Sequence, residues 1–416
     1  MKSKVEDKTV KTIMIVLCAL TLIITIIFIV KIIIAGAGFW SGDLVFETTG
    51  QAGDFIGGVI GTIFSAGAFV WAYLTLIEQQ NKQSREHLEN RFFELLELHR
   101  RNVEEMVFDA TGRVNDPDTL CVSNHEHHGK AVFREIFKQM TTCRNELAPM
   151  FKRSSDIYEE RYLEQIKNNR FVIENNITSF TQLALIDVSY CIVFYGVGAE
   201  GRAILKSLFR GKYKRSFIEQ IIEYISLKPA ENKEKYERWK FIEDRQDIQR
   251  RLEIAHAITR ARNMQSYSGT HLSPEDDKYI KGFDGSFVKY YGGHHFRLGH
   301  YYRHLFQTIR YINEQKELTY AEKYGYVKIL RAQLSSYEQE LLFFNSLSQV
   351  GRKWEMDMVF NASCEGYSVH DFELITKYNL IKNIPFGAQF GIDQKAFYPK
   401  VEYESGTSSV QRDVYK

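Results

Sequence analysis

Two long apolar runs precede a longer stretch of amphipathic periodicity along the chain. The first run, residues 13–34, is dominated by Ile, Leu and Val and carries one charge, Lys31, near its end. The second run, residues 55–77, carries no charge. At ~1.5 Å per residue, each is long enough to cross a hydrocarbon core of ~30 Å. The pattern predicts two N-terminal transmembrane helices, and the length of the first run argues against a cleaved signal peptide.

Small residues mark one face of the second predicted span. Gly53, Gly57 and Gly61 are spaced by four, so a helix places them on the same side. A face without side chains lets another helix approach closely. The partner is either the first span or a second copy of the chain, and the sequence leaves both open.

The charges around the two runs predict the orientation of the chain in the membrane. The first eleven residues contain four lysines, whereas the loop between the runs has only acidic charges. Lys82 and Arg85 follow the second run. Since positive flanks stay inside, we expect a multi-pass membrane protein with both termini in the cytoplasm.

Beyond the runs, the apolar positions follow a helical period and convincing strand alternation is scarce. The expected helices lie near residues 131–147, 156–170, 216–227, 296–315, 319–349 and 371–379, after a loop at 109–129. The predicted organisation is a cytoplasmic tail (1–11), a transmembrane hairpin (12–77), a helical stalk (78–108), a helical cytoplasmic domain (109–385) and a C-terminal tail (386–416). The predicted fold class is therefore mainly α.

The net charge and the cysteine and histidine content of the chain limit the functions that it can have. The net charge of +2 gives the whole chain no strong attraction for nucleic acid. The five cysteines form no CxxC pair, which is typical of reduced cysteines in the cytosol. One cluster contains Cys and His, the residue types that bind metal ions, but their spacing matches no known zinc-binding motif. We interpret the cluster as part of a solvated loop and expect neither a metal nor a cofactor. The members of the cluster are Cys121, His125, His127 and His128.

A glycine pattern resembles a dinucleotide-binding fingerprint. Gly196, Gly198 and Gly201 form GxGxxG after an apolar run. The fingerprint requires alternating strands and helices, but another amphipathic helix follows here. We therefore predict a glycine-rich turn between helices.

The polar face of the helix at 296–315 is the strongest candidate for chemistry. It carries, with Arg297 at its edge, His300, Arg303, His304, Gln307 and Arg310. A solvated face usually favours Lys and Glu, whereas Arg and His suit a phosphate group or RNA.

The flank of the next predicted helix adds further ligand-binding candidates, Arg331, Ser335, Glu338 and Asn345. Antiparallel packing would bring Glu338 beside Arg303 or Arg310. Such a pair would either orient a binding arginine or serve the structure alone.

These residues also carry a family resemblance. The chain resembles the phage abortive infection family, the AbiC-like membrane proteins, from the first span to about residue 350. The matching stretches are the two spans, RFFELLELHRRNVEEM, GKAVFREIFKQM, FYGVG, GHYYRHLFQTIRYI and LRAQLSSYEQELLFFN. The resemblance implies a bacterial protein that limits phage propagation, and it supplies no mechanism.

Three mechanisms remain open, and with them whether the protein is an enzyme. Arg297 and His304 are spaced R-x6-H, similar to the catalytic pattern of HEPN ribonucleases. Alternatively, the domain senses a phage component, a nucleotide or RNA, and the spans disrupt the membrane. In the third mechanism, the protein is a membrane scaffold for a defence complex. The expected partners are the lipid bilayer and other copies of the chain.

Overall fold

The computed structural model describes residues 61–109, 126–154, 156–230, 233–263, 273–282, 287–356, 373–384 and 392–404, with scattered positions before residue 61. Contacts divide the chain into two compact units, Met1–Phe93 and Glu94–Lys416. The division falls inside the stretch predicted as a stalk.

The first unit contains most of helix α1 (Gly61–Glu104). Among the described residues, α1 is the one helix long and apolar enough to cross a membrane by length and composition. Half of the residues of the first predicted span, residues 13–34, lie outside the described residues. The two-span hairpin therefore stays a prediction.

The second unit is mainly helical, as predicted. After the end of α1, its elements are β1 (Val107–Asp109), β2 (Glu126–His128), α2 (Lys130–Arg153), α3 (Glu160–Lys167), α4 (Arg170–Glu174), α5 (Phe180–Tyr195), α6 (Ala199–Phe209), α7 (Arg215–Ile225), α8 (Lys233–Glu243), α9 (Ile248–Arg262), α10 (Pro274–Gly282), α11 (His295–Asn313), α12 (Tyr320–Arg331), α13 (Ser336–Leu347) and α14 (Leu374–Tyr378). Short 3₁₀ turns lie at Arg352–Trp354 and Gln394–Ala396. The strands pair antiparallel, with Phe108 opposite His127, at the two ends of the predicted loop.

Helix α5 is the centre of the second unit. Every residue from Leu183 to Phe194 is buried, because this helix is apolar on almost all sides. Helices α2 and α13 both pack against it, and α6 and α11 contact it as well. The core is therefore built around a helix whose sequence gives it no solvent face.

The stretch expected as one helix, residues 319–349, forms two helices, and that prediction is wrong at the break. Ser335 caps the start of α13: its hydroxyl accepts from the N–H of Glu338, whose carboxylate accepts from the N–H of Ser335. This reciprocal capping box satisfies backbone donors that a continuous helix would bond internally. Tyr337, in the first turn of α13, is 39% exposed.

Gly196 and Gly198 lie in a turn between two helices, as predicted, whereas Gly201 lies in the first turn of α6. Gly196 ends α5 with φ +76°, and Gly198 is the residue before α6. A β-carbon on Gly201 would lie 2.3 Å from the carbonyl oxygen of Gly196. A helix rather than a strand precedes the turn, so these glycines serve close backbone packing.

The folded unit extends past the predicted boundary at residue 385. Phe397, Tyr398 and Val401 are buried, and the Tyr398 hydroxyl donates to Ser346 Oγ over 2.7 Å. Residues 392–404 thus contribute to the same core as α13.

Candidate functional site

Helix α11 has one side buried against the core and one side exposed to solvent, and the candidate residues are divided between them. Its amphipathic sequence buries Leu298, Tyr301 and Leu305 among the residues facing the core. The opposite side leaves His300 and Arg303 exposed. The sequence therefore predicted the buried and exposed sides of this helix, but not the fate of every polar residue.

His300 and Arg303 remain available to a ligand. The described part of the chain offers neither side chain a hydrogen bond or an ion pair. Arg310, also exposed, is different: its Nε donates to Glu314 Oε1 over 2.5 Å. Arg310 is therefore paired with an acid one helical turn further along the chain.

Arg297 fixes the start of α11 instead of pointing away from the domain. Its Nε donates to the carbonyl oxygen of Val107 in β1 over 2.6 Å. The guanidinium also lies 4.2 Å from the ring centre of Phe296, which is 56% exposed. Arg297 is half-buried, and burial lowers its pKa. A cation and an exposed aromatic ring thus lie together at the N-terminal end of the face.

His304 turns inward and meets a residue that the sequence analysis missed. Its ring stacks on that of His99, from the end of α1, with 6.1 Å between ring centres. The ring nitrogens of both histidines are inaccessible and lack hydrogen-bond partners among the described residues. Burial lowers the pKa of His99 to about 4, with the charges of His304 and Lys130 adding to the effect. Burial also lowers the pKa of His304.

Glu338 does not reach the arginines of α11, so the expected pairing with Arg303 or Arg310 is wrong. Its Oε2 accepts from the N–H of Ser335 over 2.7 Å, and its Oε1 accepts from the Tyr301 hydroxyl over 2.9 Å. The carboxylate is buried. Its hydrogen bonds join α11 to α13, which is a structural task.

Arg331 and Asn345 also hold the fold and do not join the exposed face. Arg331 is buried and donates to the carbonyl oxygens of Tyr378 and Asn379, over 3.0 and 3.1 Å, at the end of α14. Asn345 donates to the Tyr190 hydroxyl over 3.0 Å and accepts from Trp354 Nε1 over 3.0 Å. Arg331, Glu338 and Asn345 are therefore each held in hydrogen bonds that join elements of the fold.

A buried polar centre around Asp187 also escaped sequence reasoning. Asp187 lies on α5 with no exposed surface and accepts from the Tyr213 hydroxyl, the N–H of Gln349 and Arg352 Nη2. The distances from Gln349 and Arg352 are 2.7 and 3.4 Å. One acidic residue within the apolar sequence of α5 was the feature that could have revealed this cluster from the sequence. The cluster is buried, and its hydrogen bonds join α5 to the segment after α13.

A second buried cluster is an ion pair with a tyrosine. The ammonium of Lys228 contacts Glu146 Oε1, and the Tyr291 hydroxyl donates to Glu146 Oε2 over 2.8 Å. Both charged side chains are 5% exposed. Burial raises the pKa of Glu146. The cluster ties α2 to the segments before α8 and α11.

The histidine- and cysteine-containing loop can be followed only in part. His127 and His128 lie in β2, whereas Cys121 and His125 lie outside the described residues. Within the described ranges, no group of three or more His, Cys, Asp or Glu side chains could hold a metal ion.

Comparisons with known proteins locate the resemblance on this region. Neither the curated proteins nor the solved structures contain a match to the chain. The matched family segment covers α11, α12 and α13 and includes His300 and Arg303. Residues 293–389 match the family described as "Putative phage abortive infection protein", which confirms over this stretch the resemblance found in the sequence.

Proposed function

We propose that this protein is a membrane-anchored anti-phage protein of the abortive infection type. Its helical domain binds a phosphate-bearing ligand or RNA on the exposed face of α11. The observation that carries the proposal is the pair His300 and Arg303, which are exposed, unpartnered among the described residues and inside the family segment. A guanidinium free of protein partners can bind a phosphate through two parallel hydrogen bonds.

The N-terminal end of the same helix supports RNA or a nucleotide over a bare phosphate. Phe296 is exposed beside the guanidinium of Arg297. Exposed aromatic rings stack on bases, and neighbouring cations add to that attraction. An exposed aromatic ring and the unpaired guanidinium of Arg303 on one helix therefore match both parts of a nucleotide.

The ribonuclease alternative requires His304 to reach a 2′-hydroxyl. A general base must come within hydrogen-bond distance of the proton that it removes. The inaccessible ring nitrogens of His304 do not favour that role. Binding by His300 and Arg303 is therefore better supported than catalysis by the R-x6-H pair.

Anchoring is assigned to the apolar part of α1, with the first predicted span beside it and both termini in the cytoplasm. We further propose self-association through Gly53, Gly57 and Gly61. Among the described residues, a β-carbon at Gly53 or Gly57 would meet nothing within 4 Å, and a helix face without side chains lets another helix approach closely. Gly57→Leu should lower the oligomeric order of the chain in detergent if this face is the contact.

The test of the binding face compares variants on one helix. Arg303→Ala and His300→Ala should abolish protection against phage in plaque assays while the protein accumulates normally. Arg310→Ala is the matched control, because that exposed arginine is already paired with Glu314. Arg303→Lys should also impair protection, since an ammonium cannot reproduce a bidentate contact. Full protection by the double variant Arg303→Ala with His300→Ala would refute the proposal.

The same variants separate binding from cleavage. Purified full-length protein should bind a single-stranded RNA oligonucleotide or a nucleotide less tightly when Arg303 is replaced. RNA integrity in infected cells should be followed in parallel. Cleavage that depends on His304 but not on Arg303 would instead support the ribonuclease.

A further inference from the structure

Helix α6 carries a second set of exposed cations, away from the residues of the proposed binding face in sequence. Arg202, Lys206 and Arg210 are spaced by four, and all three are exposed. Arg210 is the residue directly after the helix. We call these three residues the cationic ridge. In the described part of the chain, none of their side chains has an ion pair or a hydrogen bond.

The ridge differs from three exposed arginines of this unit that pair with an acid one helical turn further along the chain. On three other helices of this unit, the position four residues after an exposed arginine holds an acid that pairs with it. Such pairs are Arg170–Glu174, Arg215–Glu219 and Arg310–Glu314. On α6, the position four after Arg202 is Lys206, and the position four after Lys206 is Arg210. Like charges at this spacing repel each other and weaken a helix.

We propose that the cationic ridge binds the surface of an anionic lipid bilayer. Leu205 and Phe209 of α6 are buried on a neighbouring side of the helix, whereas all three cations of the ridge are exposed. An anionic partner would remove the mutual repulsion of the three cations. Basic residues near an anionic leaflet are attracted through their charge alone, without a shaped pocket.

Lipid fits the ridge better than single-stranded nucleic acid does. Proteins that bind single strands combine cations with aromatic rings for base stacking. The exposed positions of α6 between the cations are small, Ala203 and Ser207 among them, and the exposed ring of Phe296 belongs to α11. The inference also rests on the proposed membrane anchoring, because a span in the same chain keeps the bilayer at high local concentration.

The size of the effect follows from the number of cations. Each Lys or Arg close to an anionic leaflet contributes about fivefold to partitioning. Three cations therefore give about 100-fold, and replacing two of them leaves about fivefold. The attraction should weaken with salt, since it acts between exposed charges.

Lys206 can report on its own contact with lipid. The full chain is inserted into nanodiscs of phosphatidylcholine, either alone or mixed with phosphatidylglycerol. A water-soluble reagent acetylates exposed lysines, and mass spectrometry gives the rate at Lys206. Lys316, exposed in the loop after α11, is the internal reference. We expect acetylation of Lys206 to slow about tenfold or more in the anionic discs only.

Two double variants test the origin of that protection. Arg202→Gln with Arg210→Gln should remove most of it. Arg161→Gln with Lys167→Gln, two exposed cations on α3, is the matched control and should leave it intact. Equal acetylation of Lys206 in both kinds of disc would overturn the proposal. Protection by an added RNA oligonucleotide in phosphatidylcholine discs, without an effect of anionic lipid, would assign the ridge to nucleic acid and also overturn it.

Failure of the anchoring gives a different result. A chain that does not remain with phosphatidylcholine discs is not anchored, whatever the ridge does. The ridge is then tested by sedimentation of the chain with vesicles that contain phosphatidylglycerol. Loss of sedimentation in Arg202→Gln with Arg210→Gln would support the ridge, and absence of sedimentation of the original chain would refute it.

Discussion

Replacement of His99 by leucine should reduce the sensitivity of the folded protein to acid. His99 is 2% exposed, and its neighbours with charge or titratable groups are His304 and Tyr301 on α11 and Lys130 on α2. Burial lowers its pKa from 6.5 to about 4. In the unfolded chain His99 is therefore protonated below about pH 6.5, whereas in the native protein it is protonated only below about pH 4. Stability from this group is complete above the unfolded pKa and is lost as the pH falls towards 4.

The magnitude follows from that shift. Each pKa unit corresponds to about 1.4 kcal/mol, so the shift of His99 removes about 2 kcal/mol of unfolding free energy between pH 7 and pH 5. His304, whose pKa burial also lowers, adds to the loss in the same direction. In His99→Leu the acid loss should be smaller by about 2 kcal/mol. At pH 7 the variant should be as stable as the original or more stable, because two buried nitrogens without partners disappear.

Urea unfolding of the full chain in detergent, followed by tryptophan fluorescence at pH 7 and pH 5, measures this difference. His87→Leu is the matched control, because His87 is exposed on the same helix and has no part in the pair. An acid loss in His99→Leu equal to that of the original chain would refute the reasoning. So would an equal reduction in the His87 variant.

Three further outcomes are expected from the fold. Gly201→Ala should lower the unfolding free energy by about 1–3 kcal/mol, since its β-carbon would lie 2.3 Å from a carbonyl oxygen of the turn. Gly198→Ala, where a β-carbon meets nothing within 4 Å, should leave the thermal midpoint nearly unchanged, and equal effects would contradict the packing argument. Lys228→Met should cost about 3–5 kcal/mol by stranding buried Glu146, and adding Glu146→Gln should restore part of the loss in urea unfolding. Burial raises the pKa of Glu355 to about 8 from 4.5, so its stability contribution is present below 4.5 and lost as the pH rises to 8. Glu355→Gln should reduce the loss of stability measured between pH 5 and pH 8.

The local pattern of the sequence predicted several elements well. The amphipathic period of α11 assigned its two sides, because a helix buries the residues that recur on one face. Gly196 and Gly198 were correctly placed in a turn, since an amphipathic helix followed them in the chain, whereas Gly201 lies inside α6. The apolar runs defined candidate spans by length alone, and α1 meets that criterion.

The partners of individual polar residues could not be predicted in this way. The carboxylate of Glu338 could have paired with an arginine on α11. Instead it accepts a hydrogen bond from the N–H of Ser335, three residues away, in a capping box. That signal, Ser-x-x-Glu, was present in the sequence. Arg331 had no comparable signal, because its acceptors are carbonyl oxygens at the end of a helix far along the chain.

The sequence by itself determined that this chain is mainly helical, which apolar runs could span a membrane and which family it resembles. Periodicity, length and motif order are local properties that need no tertiary contact. Only the tertiary structure decided that His304 faces His99 while His300 and Arg303 stay exposed. Residues at the edge of a helix face are buried or exposed according to which distant segment packs beside them. For α11 that segment is the end of α1, and no local pattern in either helix specifies the contact.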